Sequence, residues 1–323
     1  MGQLLNVNEY VAGIKSADIS ILSRAITLCE SSLPAHTEMA QQIINQLHGL
    51  SGNSLRLGIT GVPGVGKSSF IECFGKHLVA KGHRLAVLAI DPSSSISKGS
   101  ILGDKTRMEE LSKLEQVYIR PSPSSGHLGG IAKSTYQTML LCEAAGFDYI
   151  IIETVGVGQS ETMVHNLCDF FLLLMLAGAG DELQGIKRGI MEMADSILIT
   201  KADGTNIEKS KLAQLEYKNA LHLMPATESG WIPEVLTASS TENKGMDAVF
   251  NLIERYKNFS VTTGYFKQNR QRQKVALFKE LLQQKIVDRF YNEHRQTLAK
   301  TIEKLESNEM DLIEALNLNA SLK

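Results

Sequence analysis

The sequence has little of what marks secreted, membrane or nucleic-acid-binding proteins. Its four cysteines, at positions 29, 73, 142 and 168, form no C-x-x-C pair and are expected to be reduced core residues. The longest apolar run, Phe170 to Ala177, is too short to cross a bilayer and is typical of a buried strand. With 33 Lys and Arg against 35 Asp and Glu, no bulk positive charge favours nucleic acid or an anionic membrane. We therefore expect a protein that binds neither nucleic acid nor membrane. Because the amino terminus also lacks a signal-peptide pattern, we expect it to be cytoplasmic.

One glycine-rich stretch, residues 55–72, dominates what is present. Gly61, Gly66, Lys67 and Ser68 fit the phosphate-loop pattern G-x-x-x-x-G-K-[ST]. Glycines adopt backbone angles closed to other residues, so successive N–H groups can face one concavity at the positive end of the following helix. Lys67 would place a cation on the β- and γ-phosphates, and Ser68 would offer a hydroxyl to Mg²⁺. The residues predicted to bind nucleotide here are Gly61, Val62, Pro63, Gly64, Val65, Gly66, Lys67, Ser68 and Ser69.

Around this loop, short apolar runs alternate with amphipathic segments from residue 55 to about 255. Several runs are continuously apolar, as expected of strands covered on both faces. The alternation predicts an α/β fold: a mostly parallel P-loop NTPase sheet with helices on both faces and ligands at the carboxyl ends of its strands. The predicted strands lie at 55–60, 84–90, 117–120, 149–153, 169–176, 195–200 and 234–238, and the main helices at 68–79, 131–145, 205–223 and 246–258.

Helical segments flank the sheet region on both sides. Three lie before it, at about 7–15, 17–31 and 36–49, and two after it, at 265–293 and 295–318. The C-terminal pair must bury its apolar stripe against the rest of the chain or against another subunit, and the spacing favours neither. The three predicted parts are an N-terminal helical extension at 1–54, a P-loop domain at 55–260 and a C-terminal helical arm at 261–323.

Acidic residues follow two of the predicted strands. Glu153 ends the strand at 149–153, and Gly156 beyond it would let a backbone N–H approach the γ-phosphate. Asp91 and Asp104 bound a Ser- and Gly-rich loop, where acids suit metal contact and positioning of the attacking water. Taken alone, Asp104 is better explained as the cap of a helix at 105–112. The predicted magnesium ligands are Ser68, Asp91, Asp104 and Glu153.

A third element, Thr200-Lys201-Ala202-Asp203, resembles the N-K-x-D motif that reads guanine. The Asp203 carboxylate can accept from N1–H and the exocyclic amine of guanine, a donor pair that adenine lacks. Charge-assisted hydrogen bonds of about 1.5–3 kcal/mol each would give at least about tenfold discrimination. Lys201 can lay its stem over the base, and the Thr200 hydroxyl can replace part of the bonding of the usual Asn. Ala238 and Ser239 stand where a backbone N–H would meet the guanine carbonyl.

Taken together, five motifs resemble the MeaB/ArgK family of SIMIBI-class GTPases, also labelled LAO/AO transport kinases. The likeness covers nearly the whole chain. It implies a homodimeric GTPase that uses GTP and Mg²⁺ and chaperones adenosylcobalamin-dependent methylmalonyl-CoA mutase, assisting its cobalamin loading, protection or reactivation. The motifs are Gly61-Val-Pro-Gly-Val-Gly-Lys-Ser68, Asp91-Pro-Ser-Ser, Gly99-Ser-Ile-Leu-Gly-Asp-Lys-Thr-Arg-Met108, Glu153-Thr-Val-Gly-Val-Gly-Gln-Ser-Glu161 and Gly178-Ala-Gly-Asp-Glu-Leu-Gln-Gly-Ile-Lys187.

The resemblance also implies three switch segments, at 91–104, 153–161 and 178–187. The third would signal the nucleotide state to the mutase, with Lys187 as its key cation, and the C-terminal helices would be a dimerisation arm. Gln159 is displaced from the position of a water-orienting Gln, so we expect slow hydrolysis until a partner orders the switches. The residues expected to be catalytic are Lys67, Asp91, Glu153 and Lys187.

Three other functions compete with this interpretation. A nucleotide-dependent kinase of a periplasmic arginine/ornithine transport binding protein would need a phosphate-acceptor site, which the sequence does not display. A nickel-insertion GTPase would need a His or Cys cluster, whereas the eight histidines are scattered. A non-catalytic nucleotide-binding scaffold would keep the loop without needing Glu153 or Asp104.

Overall fold

The computed structural model describes residues 4–50, 52–90, 108–121, 128–154, 160–178 and 188–320 of the chain. It divides into two compact units, Met1–Lys274 and Val275–Lys323. The predicted division of the chain into an N-terminal extension, a P-loop domain and a C-terminal arm stays a prediction.

A seven-stranded parallel sheet forms the centre of the first unit, in the order β3-β2-β4-β1-β5-β6-β7. Strands β1, β2 and β4 are buried along their whole length, as expected of strands covered on both faces. The P-loop NTPase α/β fold predicted from the alternation is confirmed. The strands are β1 Leu55–Gly61, β2 Leu85–Ile90, β3 Val117–Pro121, β4 Tyr149–Thr154, β5 Phe170–Leu176, β6 Ser196–Thr200 and β7 Glu234–Thr237.

Helices surround this sheet and continue beyond it. Local sequence explains their starts: Asn6 and Glu9 form a capping box on the first helix, and Asp18 accepts two backbone N–H groups of the second. The helices are α1 Val7–Lys15, α2 Ile19–Glu30, α3 Pro34–Leu47, α4 Lys67–Ala80, α5 Glu109–Ser112, α6 Leu128–Ala144, α7 Ser160–His165, α8 Arg188–Met193, α9 Ile207–His222, α10 Met246–Thr262, α11 Tyr265–Glu293, α12 Arg295–Glu306 and α13 Leu312–Ala320, with short 3₁₀ turns at His48–Leu50 and Gly204–Asn206.

The two faces of the sheet bury different helices. On one face, Phe70 and Phe74 of α4 and Leu252 of α10 pack in the main apolar core with β1 and β4. On β1, Gly58 makes room for the opposite layer, because a Cβ there would lie 2.7 Å from Cys168 Sγ. Strand β1, which leads into the phosphate loop, is therefore closely packed on both of its faces.

The sequence-based prediction of one helix over 295–318 is wrong. Helix α12 ends at Glu306, Asn308 adopts a left-handed backbone with φ of 57°, and α13 begins after Asp311 accepts the N–H of Ile313 at 2.9 Å. Asn tolerates this conformation and Asp favours helix starts, so the polar residues between the apolar stripes form a turn. The side chain of Asn319 donates back to Thr301 Oγ1 at 3.2 Å, which ties the two helices together.

Candidate nucleotide site

The predicted phosphate loop joins the central strand to a helix. Strand β1 ends at Gly61 and α4 begins at Lys67. Gly64 and Gly66 have φ of 77° and 93°, the left-handed region in which a side chain is strained. A Cβ at Gly61 would lie 2.5 Å from the carbonyl oxygen of Leu174 on β5. The loop therefore needs glycine at all three positions, for two different physical reasons.

The loop presents its polar groups at the carboxyl end of the sheet. Lys67 Nζ donates to the carbonyl of Gly61 at 2.7 Å and lies 3.4 Å from that of Val62. The ammonium is thus held over the turn, where a phosphate could replace these carbonyls. Of the predicted loop contacts, Gly61 and Val65 are buried, Val62, Gly66, Lys67 and Ser68 are half-buried, and Pro63, Gly64 and Ser69 are exposed.

A hydroxyl and a carboxylate meet where β1 and β4 end. Ser68 Oγ donates to Glu153 Oε1 at 3.3 Å, and Glu153 is 4% exposed. Parallel pairing sets this meeting, since Ile59 and Glu153 are in register. An oxygen pair of this kind fits Mg²⁺, which takes few protein ligands and completes its shell with water and phosphate oxygens. The described part of the chain holds no cluster of three or more His, Cys, Asp or Glu suited to a metal.

Beside this pair lies a contact that the sequence reasoning missed. Thr60 and Thr154, near the carboxyl ends of β1 and β4, place their hydroxyls 3.0 Å apart in the buried interior. A polar residue near the end of an otherwise apolar strand is a signal, but only the strand order shows that these two are neighbours. The bond links the strand that leads to the phosphate loop to the strand that carries Glu153.

The residues predicted to read the base come together in a second group. Ser239 Oγ donates to Asp203 Oδ2, and the N–H of Ala202 donates to the carbonyl of Ala238 at 3.1 Å. The loop after β7 thereby orients the Asp203 carboxylate. The predicted recognition of a base would need an acceptor held in this way. Both segments end neighbouring strands, β6 and β7, which explains the meeting.

Two side chains connect this group to the phosphate loop. Lys201 Nζ donates to the carbonyl of Gly64 at 2.8 Å. Thr200 Oγ1 donates to the carbonyl of Val65 at 2.7 Å and lies 3.2 Å from that of Met175. The structure therefore brings the predicted phosphate and base elements into one continuous site.

A cation flanks the base group. The hydrogen bond from Lys244 to Glu242 raises the pKa of the lysine, and the negative charge of Asp203 adds a smaller contribution. The backbones of Ser239 and Lys244 also exchange hydrogen bonds, at 3.0 and 2.9 Å. The segment that carries Lys244 is thereby held against Ser239, the residue that donates to Asp203.

Next to the loop a cleft of about 580 Å³ opens between α4 and the segment after β7. Ser69 and Ser240 line it, and further along Cys73 Sγ donates to Asn243 Oδ1 at 3.2 Å. Of the described residues predicted to bind nucleotide, only Ser69 lines this cleft, so it lies beside the predicted nucleotide site and not within it.

Several predicted residues fall outside the described part of the chain. They are Asp91, Asp104, Gly156 and Lys187, together with most of the three predicted switch segments. The roles predicted for these four residues stay predictions. Glu161, within the second segment, is described and is buried.

Among the described residues, no helix is both long and apolar enough to cross a membrane.

The parallel sheet, the phosphate loop and the base group together define a P-loop GTPase. The family model for the methylmalonyl-CoA mutase-associated GTPase MeaB matches residues 22–295, and the chain belongs to this family.

Several proteins of known sequence or structure are similar to this chain over most of its length. A probable GTPase of Mycobacterium tuberculosis is 48% identical, over 88% of this chain and 85% of its own. The GTPase ArgK of Escherichia coli is 45% identical, over 90% and 89%. The mouse mitochondrial methylmalonic aciduria type A homologue is 42% identical, over 88% and 71%. A crystal structure described as a LAO/AO transport system kinase superposes with a TM-score of 0.78, at 34% identity and 98% coverage of both chains.

Proposed function

We propose that this GTPase uses Mg²⁺ and acts as a chaperone of an adenosylcobalamin-dependent methylmalonyl-CoA mutase, assisting its cobalamin loading, protection or reactivation. The observation that carries the nucleotide chemistry is the continuity of the site, in which the phosphate loop, the Ser68–Glu153 pair and the Asp203 group share one sheet edge. The mutase partner is supported by the family, whose description associates it with that enzyme.

Each residue has a distinct part in the proposed hydrolysis. Water attacks the γ-phosphorus, the bond to the bridging oxygen breaks, and GDP, phosphate and a proton are released. Lys67 balances the charge on the β- and γ-phosphate oxygens, and Asp203 holds the guanine. Ser68 and Glu153 hold Mg²⁺, which when bound offsets the same phosphate charge. Asp91 or Glu153 orders the water, while Asp104 adds a metal contact, Gly156 a γ-phosphate contact and Lys187 a cation in the switch that faces the mutase.

The assembly that we propose is a homodimer paired through the second unit. On α11, Val275, Phe278, Leu282 and Ile286 follow helical spacing and are 53%, 62%, 44% and 59% exposed. An apolar stripe of this length on one helix supports burial against a second copy. A cytoplasmic location is supported by the four free thiols, which suit a reducing compartment.

The function is tested by following the γ-phosphate. Purified protein with Mg²⁺ is incubated with γ-labelled GTP or ATP, and the label is separated into free phosphate and protein-bound phosphate. We expect free phosphate from GTP and far less from ATP. The structural relative described as a transport system kinase makes transfer to protein the competing result. Label recovered on protein instead of as free phosphate would contradict the proposal.

A further inference from the structure

A second cleft, of about 700 Å³, opens beside the amino end of β1, away from the phosphate loop. Residues of α3, α6 and the start of α11 line it, and all of its lining residues belong to the first unit. Arg56, the second residue of β1, also lines it, and the strand runs roughly 17 Å further before it reaches Gly61. A cleft of this volume is ordinary for a site that binds a small organic molecule.

The floor of this cleft is charged and held in place by its own contacts. The buried carboxylate of Glu143 accepts from Arg56 Nε at 3.0 Å and from Arg270 Nη1 at 3.4 Å. The guanidinium of Arg56 lies 5.8 Å from the centre of the Tyr136 ring, and that of Arg270 lies 4.4 Å from the centre of the Phe266 ring. These contacts fix both rings, so a ligand would meet a floor that is already formed.

Positive charge lines the mouth of the cleft. Lys267 and Lys274 are exposed and seven residues apart, so they lie on the same side of α11, about 10 Å apart along its axis. Glu143 is the one acid among the described residues that line the cleft, and it is already paired with both arginines of the floor. Within the described part of the chain, neither lysine has a carboxylate at ion-pair distance. The cleft therefore favours a ligand that carries negative charge.

Apolar side chains line the same cleft. Leu47 and Leu141 are buried, and Ile44, Leu140 and Phe266 are half-buried. These side chains favour an apolar group, because contact with one removes both surfaces from water. A ligand that satisfies the whole cleft has an apolar body and an anionic head.

We propose that this cleft binds an amphipathic organic anion, with its charged head on Lys267 and Lys274 and its apolar body against the leucines and Phe266. The predicted nucleotide site uses none of these residues, so the inference goes beyond the proposed function and does not rest on it. An acyl thioester of coenzyme A and a free fatty acid both have this chemistry, the first with phosphates as the head and the second with a carboxylate.

The test measures binding of octanoyl-CoA, octanoate and inorganic tripolyphosphate to the full chain by calorimetry, with and without saturating GDP and Mg²⁺. We expect at least one of the two amphipathic anions to bind in the presence of GDP. Tripolyphosphate has the charge without the apolar body and should then bind at least about tenfold more weakly. Tighter binding of octanoyl-CoA would identify an organic phosphate as the ligand, and tighter binding of octanoate would identify a carboxylate.

The double variant Lys267→Gln, Lys274→Gln should weaken this binding by about threefold to thirtyfold, the effect of two exposed ion pairs. The matched control is Lys279→Gln with Lys285→Gln. Both control lysines are exposed on α11 and neither lines the cleft, so the same charge is removed without touching the site. The control should bind like wild type, and thermal unfolding should show both double variants folded.

Three results would overturn the proposal. One is that neither amphipathic anion binds at millimolar concentration, or that tripolyphosphate binds as tightly as they do. Another is that the cleft variant binds no more weakly than the control variant. The third is that GDP displaces the ligand, which would put it in the nucleotide site. Failure of the wild type to bind GDP would instead contradict the proposed function and leave this cleft unaffected.

Discussion

Lys67 shows how a single side chain is prepared for a phosphate. Its ammonium donates to the Gly61 carbonyl at 2.7 Å, at the point where β1 turns into the loop. Replacing Lys67 by Ala should weaken GTP binding by at least about 100-fold, because it removes two or more charge-assisted hydrogen bonds to phosphate oxygens. Fluorescent-nucleotide titration measures the loss.

The matched control for this substitution is Lys76→Ala. Lys76 lies on the same helix, α4, and its side chain is 48% exposed beside Glu72. Its replacement removes the same charge from the helix and should leave GTP affinity close to wild type. Micromolar GTP binding by Lys67→Ala would remove Lys67 from the assigned role.

The sequence predicted where the phosphate loop lies, between β1 and α4, but not the hydrogen bonds inside the site. The binding roles of its residues stay predictions. Gly61, Lys67 and Ser68 were predictable because the phosphate-loop pattern ties each residue type to one geometric task. The contact of Thr200 with the Val65 carbonyl was not, because a hydroxyl can serve many acceptors and only the fold shows which one is near.

At the scale of elements, the strand ends opposite the nucleotide site form a buried ion cluster. Arg270, near the start of α11, donates to both carboxylate oxygens of Asp169 at 2.7 and 2.6 Å, and lies 3.4 Å from Glu143. Arg56 of β1 pairs with the same Glu143 at 3.0 Å. The amino ends of β1 and β5 are thus joined to the helix that leads into the second unit.

Breaking this cluster should destabilise the fold. Arg270→Met leaves two buried carboxylates short of a cation and should lower the free energy of unfolding by about 3–5 kcal/mol. Arg272→Met is the control, since Arg272 is 43% exposed and its pair with Glu228 lies at the surface. Urea unfolding compares the two variants, and equal losses would show that the cluster does not stabilise the first unit.

A half-buried acid just before β6 predicts a pH dependence. Burial raises the pKa of Asp195 to about 7. The hydrogen bond from the N–H of Phe171, at 2.8 Å, lowers the pKa but by less than burial raises it. The unfolded chain loses this proton near pH 4, whereas the folded chain keeps it until about 7. Through this window the unfolded state binds fewer protons, so the Asp195 contribution lowers the free energy of unfolding as pH rises.

Asp195→Asn keeps an acceptor for Phe171 and cannot ionise. Its stability relative to wild type should therefore rise between about pH 4 and pH 7, by on the order of 2–4 kcal/mol, and level off above that. Urea unfolding at several pH values measures this difference. Asp148→Asn, an exposed acid that also accepts a backbone N–H at 2.8 Å, corrects for the loss of an acid. A difference for Asp195→Asn that is independent of pH would contradict the prediction.

Element positions followed from sequence where burial is continuous. The predicted run at 149–153 and the observed strand at 149–154 differ by one residue, because every side chain there is buried and apolar or functional. The ion cluster could not be predicted, since Arg56, Glu143, Asp169 and Arg270 are far apart in sequence and only the parallel strand order brings them together.

For the whole molecule, the exposed stripe of α11 predicts the oligomeric state. The chain should run as a dimer of about twice its 35.5 kDa in light scattering after gel filtration. Introducing charge with Phe278→Glu and Ile286→Glu should give a folded monomer, because both side chains are more than half exposed in the single chain. Gln283→Glu, an exposed position on the same helix, should leave the dimer intact. A wild-type monomer would contradict the proposed assembly.

The central claim is that the mutase stimulates GTP hydrolysis at this site. The direct measurement is the rate of GTP hydrolysis with Mg²⁺, with and without the methylmalonyl-CoA mutase of the same organism, and with ATP as the control nucleotide. We predict slow, GTP-selective hydrolysis that rises when the mutase is added. A GTP hydrolysis rate that the mutase leaves unchanged would contradict the chaperone function, while the nucleotide site itself would stand.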